Sequence, residues 1–150
     1  MLLVLRAEAQ LVNLVDDLAQ VVAALDLVLD FPEDFPVILA DEQRIGQVLL
    51  NLLSNAVKYS PQGGEIRISG EVRSEQVILC VQDQGPGIAP NDIPHIFDRF
   101  YRADKAQRNT KGAGLGLYLT RAILEAHAGS IWVDPSSETG ARICFSLPRH

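Results

Sequence analysis

No stretch of this 150-residue sequence is apolar for long enough to cross a bilayer, which takes roughly 18–20 residues in a helix. Its apolar start, MLLVL, has no basic leader and is too short for a signal-peptide core. Excess positive charge is missing too. The formal net charge is −6, whereas a general nucleic-acid binder is usually basic. Neither nucleic acid nor direct membrane contact is therefore expected of this domain. Cysteine is scarce: Cys80 and Cys144 sit in separate strand-like runs without CxxC spacing. Both read as reduced packing residues, in keeping with a cytoplasmic location, whether or not a full-length parent is membrane-anchored. Repeats and internal linkers are absent, so residues 1–150 read as a single domain. What is present is ordinary for a soluble globular protein, with 47% hydrophobic and 21% charged residues, enough for a real core.

Patterning along the chain mixes strands and helices. Residues 2–12 suit a first strand, and NLVDDLAQVVAAL (13–25) has helical periodicity. LDLVLDF and PVILA look like strands around the turn PEDF. Asp41 is placed to cap a helix running to about Tyr59, with Glu42 favourable in its first turn. EIRISGEV and VILCVQD, joined by RSEQ, predict a hairpin. GLGLYLTRAILEAH predicts another helix, and GSIWVD and ARICFSLP two closing strands. Strands in antiparallel pairs with helices between them predict an α+β two-layer sandwich.

The helix before SPQGG carries two side-chain amides in an otherwise apolar run, LLNLLSNAVKYSP. At 100° per residue, Arg44, Gln47, Asn51, Asn55 and Lys58 fall within an arc of about 80°. Ile45, Leu49, Leu52, Leu53 and Ala56 take the opposite arc, which should pack on a sheet. The polar stripe is either simply solvated or a working surface. In the second case an amide oxygen serves a hard cation such as Mg²⁺, and the lysine serves an anion.

VILCVQDQGPGI ends a hydrophobic strand in Asp83, followed by Gly85 and Gly87 around Pro86. A carboxylate there could accept from an adenine amino group and repel the carbonyl oxygen of guanine. A plain turn using Asp and Gly for geometry explains the same residues. Residues 88–112 hold five cations, Arg99, Arg102, Lys105, Arg108 and Lys111, against three aspartates. A long basic segment in an acidic domain suits a lid over phosphates, with Phe97, Phe100 and Tyr101 as anchors. The alternative is a surface helix with core aromatics. KGAGLGL then places Gly112, Gly114 and Gly116 ahead of a helix, whose N-terminus favours anions. It is neither a GxxxxGK[ST] loop nor a dinucleotide GxGxxG after a strand.

In chain order, NLLSNAVKY, DQGPGI, IFDRFYR and GAGLGLYL resemble the N, G1, F and G2 boxes of sensor histidine kinase catalytic domains. These domains belong to the ATP-binding superfamily that includes gyrase, Hsp90 and MutL, and the resemblance covers about residues 10–148. It implies a Bergerat-type α/β sandwich, with three main helices on one face of a mixed, mostly antiparallel sheet and a mobile ATP lid at about 88–112. It also implies a protein-histidine kinase catalytic domain using ATP and Mg²⁺. By that resemblance Asn55 is the metal ligand, and Asn51 supports the phosphate–metal side. Lys58 reaches the phosphates and Tyr59 lies against adenine. Asp83 reads the base, with Gly85 and Gly87 shaping its turn. Ile88, Phe97, Arg99, Phe100, Tyr101, Arg102 and Lys111 belong to the lid, and Gly112, Gly114, Leu115 and Gly116 bring its hinge and the helix amides to the nucleotide.

Departures accompany the match. His95, His127 and His150 do not fit the phosphoacceptor box, and the helical hairpin that carries that box is not expected here. The acceptor histidine is then expected on a dimerisation domain in cis or in trans, with a response regulator downstream. The first helix and its loop look about two turns short. Ala128 stands where a glycine is common, and Ala141 where serine or threonine often lies. An anti-sigma-type serine kinase and a non-enzymatic nucleotide sensor are the alternative functions.

Overall fold

The structure, a computed structural model, describes residues 3–5, 25–58, 64–99, 116–134 and 140–149. Strands β2 (Leu25–Asp30), β4 (Gly64–Val72), β5 (Gln76–Gln82), β6 (Ser130–Val133) and β7 (Arg142–Pro148) form one sheet in the order β2-β4-β5-β7-β6. Strands β1 (Leu3–Leu5) and β3 (Ile38–Ala40) form a separate antiparallel pair. Among the described residues the helices are α1 (Glu42–Lys58) and α2 (Gly116–Ala126), with a 3₁₀ turn at Ile93–His95.

Helix α1 forms where the periodicity requires it. Asp41 Oδ1 accepts from the Arg44 amide at 3.2 Å, satisfying one of the donors that a helix start leaves open. Ile45, Val48, Leu49, Leu52, Leu53 and Ala56 are all buried. Each full burial of a large aliphatic side chain contributes about 1.5–3 kcal/mol. They pack with Ile66 and Ile68 of β4, Val77, Leu79 and Val81 of β5, and Ile143, Phe145 and Leu147 of β7. Leu124 of α2 joins the same core. Alternation along β5 sends Ile78 and Cys80 to the other face, where they cluster with Cys144 and Trp132.

The sheet is mixed and mostly antiparallel, as the resemblance implied: β2 pairs parallel with β4, and the other pairs are antiparallel, including the expected β4–β5 hairpin. Between β2 and β4 the chain passes through β3 and α1, the long crossover that parallel pairing needs. LDLVLDF and PVILA accordingly contribute to two different sheets. Cys80 and Cys144 are not reduced packing residues but a disulfide. Register puts them directly opposite each other on β5 and β7, with Cα atoms 4.0 Å apart. A separation of 64 residues hides that pairing in the sequence. The disulfide also removes the inference from reduced thiols to the cytoplasm. No described helix is long and apolar enough to cross a membrane. The helix expected at residues 13–25 lies outside the described residues, except that Leu25 already opens β2.

Candidate nucleotide site

Asp83 follows the last residue of β5 and is 6% exposed, a buried carboxylate among aliphatic strands. Its main-chain amide donates to Ala141 O at 3.0 Å, extending the β5–β7 pairing by one rung. Its Oδ1 accepts from the Gly85 amide at 2.9 Å and from the Ala141 amide at 3.0 Å. Oδ2 has no hydrogen-bond partner among the described residues. Burial pushes this carboxyl above the ordinary aspartate range, while the Ala141 and Gly85 hydrogen bonds pull the other way. The result is a carboxylate fixed on one oxygen and available on the other.

Two glycines make that floor possible. Gly87 has φ +81° and Gly140 has φ +68°, the left-handed region that side chains disfavour. A Cβ on Gly140 would run into the carbonyl and carboxylate of Asp83. The DQGPG turn and the start of β7 therefore meet backbone to backbone. Gly85 contributes its amide, which the sequence reading described only as turn shape.

Across the core, Asn51 and Asn55 lie one turn apart on α1, both half-buried. Asn51 Nδ2 donates to Thr120 Oγ1 at 3.2 Å, and Thr120 Oγ1 donates to Gly116 O at 2.7 Å. Thr120 is fully buried. Asn55 has no hydrogen-bond partner among the described residues. Gly116 is exposed at the start of α2, and a Cβ there would meet nothing within 4 Å among the described residues.

The far end of α2 is tied to the start of α1. His127 Nδ1 lies 2.8 Å from Ile123 O, which can only accept, so Nδ1 carries the proton. Nε2 then accepts from the Asp41 amide at 3.2 Å. Helical periodicity puts His127 at a helix end but gives no sign of this junction. Neither Thr120 nor His127 stands out in sequence, because the partners lie 69 and 86 residues away.

Of the other expected site residues, Ile88 and Phe97 are half-buried against the main core, while Arg99 is exposed. Tyr59, Phe100, Tyr101, Arg102, Lys111, Gly112, Gly114, Leu115 and the side chain of Lys58 lie outside the described residues.

Helices layered on one face of a mixed sheet make this an α/β sandwich, with a glycine-framed buried carboxylate at a strand end and an amide-bearing helix as its candidate nucleotide site. The family model described as histidine kinase-, DNA gyrase B-, and HSP90-like ATPase matches residues 40–150, and the chain belongs to that family. It is 44% identical over 120 residues to the adaptive-response sensory kinase SasA of Trichormus variabilis, covering 79% of this chain and 30% of that protein. It is similar in structure to the nucleotide-free catalytic domain of histidine kinase ThkA, with a TM-score of 0.86 at 26% identity, covering 99% of this chain and 98% of that one. It also resembles full-length ShkA in complex with AMPPNP, with a TM-score of 0.85 at 29% identity, covering 98% of this chain and 31% of that one. The chain spans about 30% of the length of the SasA relatives it matches.

Proposed function

We propose that the chain binds Mg-ATP between the end of β5 and helix α1 and donates the γ-phosphoryl group to a histidine on a separate dimerisation domain, as the catalytic domain of a sensor histidine kinase. The observation that carries this reading is the Asp83 carboxylate, whose Oδ1 is held by two main-chain amides while Oδ2 is left for a donor. An adenine amino group is such a donor. A guanine carbonyl would meet the same oxygen with repulsion.

The residues present also fit a magnesium ion. Asn55 and Asn51 offer neutral amide oxygens one turn apart, and they add no negative charge beside a polyphosphate. That suits a hard cation that keeps waters and shares its ligands with phosphates. Mg²⁺ bound there would neutralise charge on the phosphate oxygens. In this reading Asn55 is the ligand and Asn51 its support. Lys58, at the end of α1, reaches the phosphates, and Tyr59 covers the base. Residues 88–112 serve as the lid, with Arg99 adding positive charge. Phosphoryl transfer asks the protein mainly for position and electrostatics, and these residues supply both.

The acceptor comes from a partner or from another part of a longer chain, followed by a response regulator. His127 is engaged on both ring nitrogens, so it makes a poor acceptor. His95 lies 3.3 Å from Asp98 on the exposed face of the 3₁₀ turn.

Calorimetry with AMPPNP, with and without Mg²⁺, tests the site. Metal-dependent binding is expected, and Asn55→Ala should abolish the metal-dependent part. Unchanged affinity in that variant removes the metal assignment. Offering ATP with a histidine-bearing helical hairpin or with a serine-protein substrate tests the reaction. Labelling of serine alone would make the chain an anti-sigma-type kinase, and binding without transfer to either would make it a sensor.

A further inference from the structure

Asn51 and Thr120 form a side-chain hydrogen bond between α1 and α2, the two helices that carry the amides and the glycine-led first turn. A threonine hydroxyl has one proton to give. Here the proton is committed: Gly116 O, a carbonyl that can only accept, lies 2.7 Å away. What Oγ1 has left toward Asn51 is a lone pair. An amide oxygen turned to that lone pair would repel it, so the Asn51 NH₂ group must face Thr120. The side-chain carbonyl, Oδ1, is then directed away and has no hydrogen-bond partner among the described residues. An Asn amide turns over at little cost where both of its faces are satisfied. At this position the orientation is chosen by one buried hydroxyl, since Thr120 is 0% exposed and no water competes for it.

We infer that Thr120 is a positioning residue for the phosphate side of the site: its hydroxyl, anchored on Gly116 O, locks the Asn51 amide with its oxygen presented to the metal and phosphates. The inference deepens the Mg-ATP reading above and rests on it. It also explains why a hydroxyl is kept in a fully buried position on α2, where an aliphatic side chain would pack as well. The bond to Gly116 gives the relay a second end. A ligand that draws the first turn of α2 toward it moves the carbonyl that fixes the threonine proton, so the glycine turn and the α1 amide are set together.

The test uses the full chain and two variants. Thr120→Val keeps the shape and removes the hydroxyl, and Thr120→Ser keeps the hydroxyl. Titration calorimetry with AMPPNP and Mg²⁺ should show about tenfold weaker binding for Thr120→Val, with Thr120→Ser within about threefold of wild type. Binding of ADP without metal should change less than about twofold in either variant, since the base side is untouched. A purely structural loss would weaken both ligands alike and would not be rescued by serine. In nucleotide-free wild-type protein, NMR should show the Asn51 side-chain NH₂ protons close to the Thr120 γ-methyl group and slow to exchange. That measurement stands even if the valine variant fails to fold. Equal Mg-AMPPNP affinity in a folded Thr120→Val protein, or an Asn51 NH₂ that points away from Thr120, overturns the inference and leaves the site assignment intact. Absence of metal-dependent binding in the wild type overturns the underlying reading instead.

Discussion

The two sides of the proposed nucleotide site are held by different kinds of bond. On the base side, Asp83 is fixed by main-chain groups: the Ala141 amide and carbonyl and the Gly85 amide. On the phosphate side, the helices are tied by side chains, Asn51 to Thr120 and His127 to the Asp41 amide. The first arrangement tolerates side-chain change as long as the backbone can still approach. Residue 141 contributes only its main chain to the carboxylate, so an alanine side chain serves there. The second arrangement depends on single polar atoms, and a hydrogen bond of this kind contributes only about 0.5–1.5 kcal/mol net. Backbone changes should therefore break the base side, and conservative side-chain changes the phosphate side.

The largest effect is expected from Gly140→Ala. The new methyl group would enter the space of the Asp83 carbonyl at φ +68°, where alanine is itself disfavoured. Left-handed strain plus overpacking should cost roughly 2–4 kcal/mol of unfolding free energy. Urea denaturation measures it, and a wild-type midpoint would show that the two backbones need not touch.

Asp83→Asn sharpens the contrast without moving the backbone. The asparagine oxygen can still accept from Gly85 and Ala141, so the fold should survive. Its NH₂ group would replace Oδ2 and oppose the adenine amino group, weakening ATP binding by roughly 1–3 kcal/mol. GTP should suffer less, and equal losses for both nucleotides would argue against base reading. Stability should respond with a defined sign. Burial raises the folded-state pKa of Asp83 above its ordinary 3.8. The folded protein then holds the extra proton within that window, and stability falls as pH rises through it. Asp83→Asn should be at least as stable as wild type at neutral pH, and that advantage should shrink as pH falls through the window above 3.8 and level off below it. A pH-independent difference between the two would remove the buried-charge account.

These residues also show how far sequence alone could go. Asp83, Gly85 and Gly87 sit within five consecutive residues, so local pattern suffices to find them. The core face of α1 follows from helical period, and every residue assigned to its apolar arc is buried. What sequence misses is set by register and by packing between distant elements. Cys80 meets Cys144 only because β5 and β7 align them. The parallel entry of β2 depends on a crossover that period-two alternation cannot signal. Thr120 and His127 matter through partners on another helix or at its start. Such residues look like ordinary helix positions until α1 and α2 are brought together.

The smallest effect concerns the end of α2, where a left-handed position is held by alanine rather than glycine. The Ala128 amide donates to Glu125 O at 3.0 Å and the Gly129 amide to Leu124 O at 2.8 Å, the two bonds of a Schellman cap. That cap requires a left-handed residue, and Ala128 takes the strain at φ 60°. Relief of the strain in Ala128→Gly gains about 1–2 kcal/mol, offset by about 0.4–1 kcal/mol for the freer unfolded chain. A net gain of roughly 0.5–1 kcal/mol should appear as a higher melting temperature. Nucleotide affinity should stay the same, because His127 keeps its bonds to Ile123 and Asp41 on either side of the change. If affinity rose with stability, the helix-held side of the proposed site would be limited by the looseness of α2 rather than by its polar contacts. The contrast between the two sides would then have to be redrawn around that cap.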